Sequence, residues 1–224
     1  MIKKISLLIF FPLYFICVAG LMRISQNWQV LYGFSVSLGI SFILTAFLIL
    51  LYVILQKKIN RLEGESSKDG LTGIFNQKYF REILNHEVIR AKRYGRSLSL
   101  IVFDIDDFKN INTSYGHQTG DQIIKMIAKL IQGQIRGMDV LGRWGGEEFF
   151  LLLPETNIKH GFFVAERIRY IVEVYKVDRQ YNVTTSIGLA EMRKDDTSES
   201  LIERADKAVY RAKSAGKNRV ELAT

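Results

Sequence analysis

Two glycines and two acidic residues stand between two runs of β-forming residues. The stretch Gly145-Gly146-Glu147-Glu148 joins the runs 140–144 and 148–153. Adjacent glycines favour a tight hairpin, because both central positions of its commonest turn need φ > 0 and glycine adopts that at little cost. A turn without side chains lets a polyanion approach the backbone, and carboxylates beside it can hold the metal ion that such a ligand requires. Alone, the stretch also fits an exposed hairpin with a solvated acidic flank.

A second group of acids ends the β-rich run 97–103. Successive side chains of a strand alternate between its faces, so Asp104 and Asp106 share one side and Ile105 takes the other. In a β-α-β-β unit the first strand can lie beside the hairpin, and we therefore expect Asp104 next to Glu147. Magnesium often takes only one or two protein carboxylates, since water and phosphate oxygens complete its shell. The acids predict a Mg²⁺ site of a nucleotide enzyme, with a solvated acidic turn as the alternative.

The elements that must position these acids alternate between helix and strand. Apolar residues at helical spacing, followed by stop signals such as Gly95, separate the helices from short β-rich runs. The core order β-α-β-β-α-β predicts a two-layer α+β fold with helices packed on a largely antiparallel sheet. The predicted helices span 76–94, 120–135, 158–175 and 198–215, and the predicted strands outside the hairpin span 97–103, 183–192 and 219–222.

Two apolar segments, 5–22 and 30–55, lie near the start of the chain. Roughly 20 apolar residues cross the hydrocarbon core of a bilayer, so both segments are expected to be transmembrane helices. The first segment also fits a signal peptide. The basic residues Lys57, Lys58 and Arg61 follow the second segment, and the positive-inside rule places the remaining chain in the cytoplasm under either interpretation.

The chain is thus expected to divide into a membrane region (1–55), a connector (56–68) and one soluble domain (69–224). The connector fits a short helical stalk and a plain solvated linker equally well. The single cysteine, Cys17, excludes a disulfide framework within the chain. Residues 56–224 carry a net charge of about +5, which suits a phosphate-rich ligand or an anionic membrane surface without distinguishing them.

Several ordered motifs over residues 66–222 give the chain a clear family resemblance: it resembles GGDEF-domain diguanylate cyclases. The resemblance implies a palm-like nucleotidyl cyclase fold and the condensation of two GTP molecules into cyclic di-GMP with release of pyrophosphate. Each of two facing copies would hold one GTP. The motifs are Asp69-Gly70-Leu71-Thr72-Gly73-Ile74-Phe75-Asn76, Asp104-Ile105-Asp106-Asp107-Phe108-Lys109, Gly116-His117 with Gly120-Asp121, the GGEEF turn Gly145-Gly146-Glu147-Glu148-Phe149, Ser186-Ile187-Gly188, and Ala205-Asp206 to Gly216-Lys217-Asn218-Arg219.

The resemblance also implies a role for each matching residue. Asp104, the backbone carbonyl of Ile105 and Glu147 would hold Mg²⁺. Glu147 and Glu148 would be the catalytic acids, and which of them accepts the proton of the attacking 3′-hydroxyl stays open. GTP would be bound by Asn112 and Asp121 at guanine, by His117, by the glycines Gly145 and Gly146, and by the phosphate-binding lysines Lys109, Lys213 and Lys217.

Upstream of the turn, Arg136-Gly137-Met138-Asp139 matches the R-x-x-D inhibitory motif of the family. The match implies feedback by cyclic di-GMP, with Arg167 as a further contact, because guanidinium groups suit phosphate and guanine edges. The two apolar segments and the resemblance together lead us to expect a multi-pass protein of the bacterial inner membrane, with its catalytic domain in the cytoplasm, that acts as a homodimer. The lipid bilayer is an expected partner and nucleic acid is not. The alternatives are a degenerate cyclic di-GMP receptor and a membrane-bound signalling scaffold.

Overall fold

The computed structural model describes residues 28–65, 67–175 and 183–223. Internal contacts divide the chain into two units, Met1–Glu65 and Ser66–Thr224. In the first unit, helix α1 spans Trp28–Glu65. Its part Val36–Gln56 is long and apolar enough to cross a membrane, and it is the only such helix in the described ranges. The prediction of two spans is therefore supported for one, because segment 5–22 lies outside the described residues.

The predicted connector is helical as far as α1 continues. The helix includes positions 56–65 and ends at Glu65, and the choice between a stalk and a linker stays a prediction. Four apolar residues in the middle of the candidate span, Phe47, Leu48, Ile49 and Leu50, are exposed rather than packed against protein. Exposed apolar side chains all along a helix are typical of contact with lipid.

The second unit contains one six-stranded sheet with the order β1-β3-β4-β2-β5-β6. Its central pairs are antiparallel, whereas β1 pairs with β3 and β5 pairs with β6 in parallel. The predicted α+β class is confirmed, and the sheet is mixed. The strands are β1 (Phe75–Asn76), β2 (Leu98–Ile105), β3 (Val140–Gly145), β4 (Glu148–Pro154), β5 (Thr185–Glu191) and β6 (Val220–Leu222).

Five helices join these strands. Asn76 caps the first of them through a bond from the Tyr79 amide, and Gly95 ends it with a φ of 63°. Thr197 and Ser200 form a reciprocal capping box at the start of the last. The helix that follows β2 was not predicted, because it is too short to show a helical period. The helices are α2 (Gln77–Tyr94), α3 (Phe108–Tyr115), α4 (His117–Gln132), α5 (Ile158–Val174) and α6 (Ser198–Ser214).

Helices cover both faces of the sheet, so the prediction of two layers is wrong. Every residue of β2 is buried. Its odd-numbered apolar residues, such as Phe103, pack with α4 and α5, while its even-numbered ones, such as Val102, pack with α2 and α6. A strand that is apolar at nearly every position is typical of a sheet covered on both sides. This sandwiched strand carries Asp104 at its end.

Candidate active site

The glycine turn differs from the predicted one by a residue. Gly145 pairs with Glu148, so Gly146 and Glu147 are the central residues of the turn. Of these two only Gly146 has a positive φ, at 45°. The register of β3 shifts between Arg143 and Gly145, and this irregularity displaces the turn along the chain. Glu147 consequently lies at the tip of the hairpin, and Glu148 begins β4.

Arg143 holds this turn in place. Its Nε and Nη2 donate to the carbonyl oxygen of Gly146 at 3.0 and 2.8 Å. Its Nη1 lies 3.2 Å from Oδ1 of Asp69, which also accepts from the amide of Thr72 at 2.9 Å. Burial of the Asp69 carboxyl opposes ionisation, but the hydrogen bonds and the Arg143 charge together lower its pKa. The sequence analysis assigned no role to Arg143, although a charged residue within a predicted hairpin strand could have indicated one.

Asp104 faces Glu148 across the strands, and the predicted neighbour Glu147 is the next residue in the turn, where its charge also acts on Asp104. The antiparallel register of β2 and β4 pairs Asp104 with Glu148. Burial is the largest influence on Asp104 and raises its pKa; the negative charges of Glu147 and Asp106 add to the rise, and Lys213 opposes it. Glu148 is exposed as a residue, yet desolvation of its carboxyl raises its pKa, and Asp104 and other acids add to that rise. The two predicted catalytic acids and Asp104 therefore form one electrostatically coupled group.

Asp106 is buried and has a positioning role. Its carboxylate accepts from Oγ1 of Thr184 at 2.7 Å, from Oγ of Ser186 at 2.6 Å and from the amide of Asn218 at 3.1 Å. These bonds connect the end of β2 to β5 and to the turn after α6. Because these bonds occupy both carboxylate oxygens of Asp106, this residue is not available to coordinate a metal ion directly. The carboxylate of Asp104, in contrast, pairs only with Lys213 among the described residues.

A cleft of about 410 Å³ opens beside the turn. It brings together four predicted site residues: Lys109, Asn112, His117 and Glu147. Asp121 lies on α4 and does not line it. Oδ1 of Asn112 is buried and accepts no hydrogen bond from any described residue. A buried acceptor left without a donor is costly, and a ligand that donates a hydrogen bond would satisfy it.

Two of the predicted phosphate-binding lysines, Lys213 and Lys217, do not share a helix, because α6 ends at Ser214. Nζ of Lys213 is 2.8 Å from Oδ1 of Asp104. Lys217 has a φ of 64°, outside the helix, and its Nζ is 2.7 Å from Oδ1 of Asp107. Each extends to a different aspartate at the end of β2.

The predicted inhibitory motif forms a compact turn before β3. The amide of Arg136 donates to Oδ2 of Asp139 at 2.8 Å, and Arg167 on α5 donates to the carbonyl oxygen of Gln134 at 2.7 Å. Burial raises the pKa of Asp139, against the hydrogen bond from Arg136 and the charges of Arg136 and Arg167. Oδ1 of Asp139 is buried without a hydrogen-bond partner among the described residues. The three predicted residues thus lie near one another, and Oδ1 of Asp139 is a buried acceptor without a donor among the described residues.

Comparisons with known proteins identify the family of this domain. The family profile described as "Diguanylate cyclase, GGDEF domain" matches residues 66–219. The chain belongs to the GGDEF domain family. Diguanylate cyclase DgcP of Pseudomonas aeruginosa is 39% identical over 170 residues, which cover 73% of this chain and 25% of DgcP. The chain therefore spans about a quarter of the length of that relative.

Solved GGDEF domains share the fold. The GGDEF domain of DgcB from Caulobacter crescentus, solved in complex with c-di-GMP, is 35% identical with a TM-score of 0.69, covering 71% of this chain and 96% of that one. The active GGEEF domain of a diguanylate cyclase from Vibrio cholerae is 32% identical with a TM-score of 0.64, covering 66% and 97%. Its name contains the same five-residue turn, GGEEF, that this chain carries at 145–149.

The donor set of the candidate site fits magnesium. The described residues contain no group of three or more acidic, histidine or cysteine side chains arranged around one ion. The predicted set, two carboxylates and one backbone carbonyl, is smaller than such a group. Magnesium usually completes a sparse protein shell with water and substrate phosphates, so Asp104, Ile105 and Glu147 suit an ion that arrives with a nucleotide.

Proposed function

We propose that this protein is a diguanylate cyclase, which condenses two GTP molecules into cyclic di-GMP and two pyrophosphates. The observation that carries the proposal is the junction of β2 and the hairpin, where Asp104 faces Glu148 and Glu147 borders the cleft. Phosphoryl transfer needs positioned phosphates, neutralised charge and a carboxylate near the attacking hydroxyl. The relatives named diguanylate cyclases support the same activity.

Each copy contributes one half of the reaction. Asn112, Asp121 and His117 hold the guanine end of GTP, while Lys109, Lys213 and Lys217 neutralise its phosphates. Asp104, Glu147 and the carbonyl of Ile105 hold Mg²⁺, which supplies charge neutralisation on the phosphates when bound. A carboxylate of the turn, Glu147 or Glu148, accepts the 3′-hydroxyl proton. Because each hydroxyl attacks the nucleotide of the other copy, two turns must face each other and the active form is a homodimer.

The test is turnover of GTP by the full chain in detergent micelles with Mg²⁺. Mass spectrometry measures pyrophosphate, cyclic di-GMP and the linear dinucleotide that a specific phosphodiesterase forms from it, and the last two together give the amount of cyclic di-GMP synthesised. The proposal predicts two pyrophosphates per cyclic di-GMP and a specific activity that rises with protein concentration. Tight binding of cyclic di-GMP without synthesis would instead identify a receptor. A protein that neither binds nor synthesises cyclic di-GMP would be a scaffold.

Gly120→Ala is expected to raise the KM for GTP. A Cβ at Gly120 would lie 2.0 Å from Oδ1 of Asn112 and 3.0 Å from Cζ of Phe108, so the amide must leave its place. Loss of the hydrogen bonds from the Asn112 amide to guanine corresponds to an increase in KM of about tenfold. Steady-state kinetics measure the effect. Gly133→Ala, at the C-cap of the same helix, is the control, because the nearest atom to its Cβ would be the carbonyl oxygen of Leu130 at 3.5 Å. An unchanged KM in Gly120→Ala would refute the role of Asn112.

The turn around Arg136 and Asp139 is proposed as a product-binding site that inhibits synthesis. The guanidinium of Arg136 has no hydrogen bond or ion pair with the described residues and is exposed, while Arg167 lies on the neighbouring helix. Guanidinium forks bind phosphate and guanine edges in pairs of hydrogen bonds, as cyclic di-GMP requires. The carboxylate of Asp139 can accept from a guanine amino group.

Arg136→Ala should weaken product inhibition about tenfold, the scale of one charge-assisted pair of hydrogen bonds. The measurement is the initial rate of synthesis against added cyclic di-GMP. Arg93→Ala is the matched control, since Arg93 is also exposed and its ring contact is only with the adjacent Tyr94. Equal inhibition of the Arg136 variant and wild type would remove this site from the proposal.

We also propose that Val36–Gln56 anchors the protein in a bacterial inner membrane, with the GGDEF domain in the cytoplasm. The length and apolar composition of this segment support the anchor. The basic residues that follow it support the orientation, since such residues stay on the cytoplasmic side.

A further inference from the structure

The two lysines at the end of α6 have partners that differ in burial. Lys213 pairs with Asp104, whose side chain is only 10% exposed. Lys217 pairs with Asp107, whose side chain is 53% exposed. Asp104 is the proposed magnesium ligand and Asp107 is not. Lys213 therefore neutralises a buried carboxylate that is a proposed metal ligand, whereas Lys217 neutralises an exposed carboxylate that is not.

We propose that Lys213 is a placeholder cation, which neutralises Asp104 until Mg²⁺ and GTP bind and then moves to the triphosphate. A buried carboxylate needs a cation or hydrogen-bond donors, because burial of an unpaired charge is costly. Nζ of Lys213 lies 2.8 Å from Oδ1 of Asp104, and no other ion pair involves Asp104 in the described part of the chain. This inference rests on the proposed function of the same site.

An ammonium group and a divalent cation cannot share one carboxylate oxygen without strong repulsion. Binding of Mg²⁺ at Oδ1 of Asp104 therefore requires that Lys213 leave this oxygen, and the lysine charge also opposes a divalent cation at Oδ2. Its side chain is 40% exposed and can swing on its flexible stem, so departure needs no change in the backbone. The residue is at the last turn of α6, where it can extend toward Asp104 or toward a bound phosphate.

The exchange links the metal ion to the nucleotide. A metal ion that binds alone drives Lys213 into solvent with no new partner, whereas GTP offers that lysine its phosphates. The protein without nucleotide is therefore expected to bind Mg²⁺ weakly, and bound nucleotide to strengthen metal binding by more than its own phosphate ligands supply. Such a device keeps the carboxylate group neutralised and discourages binding of free cations.

The test measures metal binding in the absence of nucleotide. Mn²⁺ replaces Mg²⁺, and free Mn²⁺ is measured by electron paramagnetic resonance with the full chain in detergent micelles. Lys213→Met should bind Mn²⁺ about tenfold more tightly than wild type, the scale of one opposing charge at contact distance. Lys217→Met is the matched control: it removes the same charge from an exposed aspartate nearby and should change affinity less than about twofold.

Two further variants test whether the gain in Mn²⁺ affinity depends on Asp104 and on the positive charge at position 213. Adding Asp104→Asn to Lys213→Met should abolish the gain, and Lys213→Arg, which keeps the cation, should bind Mn²⁺ as weakly as wild type. Thermal unfolding with and without Mn²⁺ checks that each variant is folded. Equal gains in the two lysine variants, no gain in Lys213→Met, or a gain that survives Asp104→Asn would overturn the inference. These experiments measure metal binding and not GTP turnover. Their failure can therefore be distinguished from failure of the proposed function, which GTP turnover tests.

Discussion

Glu147→Gln is expected to lower synthesis of cyclic di-GMP by at least about a hundredfold, the usual contribution of a positioned acid or base. Glu147 lies at the tip of the hairpin and borders the cleft. The substitution keeps the size of the side chain but removes a proposed ligand of Mg²⁺ and a candidate proton acceptor. The measurement is the rate of cyclic di-GMP formation under saturating GTP and Mg²⁺.

Folding should be unaffected by this change. Glu147 makes no hydrogen bond or ion pair with the described residues, so its neutralisation breaks no internal contact of that kind. Glu203→Gln serves as the control, since Glu203 is an exposed glutamate on α6 and Lys207 is its only ion-pair partner among the described residues. The control should retain full activity. A Glu147→Gln protein with more than about a tenth of wild-type activity would contradict the proposed roles of this residue.

Gly188→Ala should destabilise the domain by about 3 kcal/mol, at the upper end of the cost of overpacking. A Cβ at Gly188 would lie 2.1 Å from the carbonyl oxygen of Ala205 and 2.6 Å from the amide nitrogen of Val209. Both atoms belong to the backbone of α6, so no rotation of a side chain can relieve the clash. The helix must move away from β5, and with it Lys213.

The measurement is thermal unfolding of the full chain in detergent, followed by near-ultraviolet circular dichroism. The expected fall in Tm is about 10 °C for a domain of this size. Gly70→Ala is the control, because a Cβ at Gly70 meets no atom within 4 Å and its φ is not positive. If Gly188→Ala melted within about 2 °C of wild type, the close packing of α6 on β5 would be wrong. The glycine of the motif Ser186-Ile187-Gly188 thus has a structural role, since the absence of a side chain there permits α6 to pack closely on β5.

The sequence predicted the existence and type of the longer elements well. Helices α2, α4, α5 and α6 and the hairpin all formed, because their apolar residues repeat at the period of the element. It failed for β1 and α3, which have two and eight residues, since a period cannot be recognised in so short a segment. The layer number was also misjudged, because an apolar run predicts burial of a strand but does not say that two separate cores bury it.

The candidate site shows the same division. The chemistry of Asp104, Glu147 and Asn112 is visible in their residue types and spacing. Their spatial relations are not visible there: the register of β2 and β4 pairs Asp104 with Glu148 and leaves Glu147 in the adjacent turn. Arg143 contacts the turn across three residues and Asp69 across 74, a separation that no local pattern encodes.

By itself, the sequence determined the family, the acidic and basic residues of the site and the apolar segment that could cross a membrane, because these depend on residue type and local period. Only the tertiary structure decided that Lys213 lies against Asp104, that Lys217 lies against Asp107 and that Asn112 has an acceptor without a donor. These facts arise where β2, α3 and the end of α6 meet, and contacts between distant segments depend on how helices pack on a sheet. The contacts around the glycine turn are therefore properties of the fold.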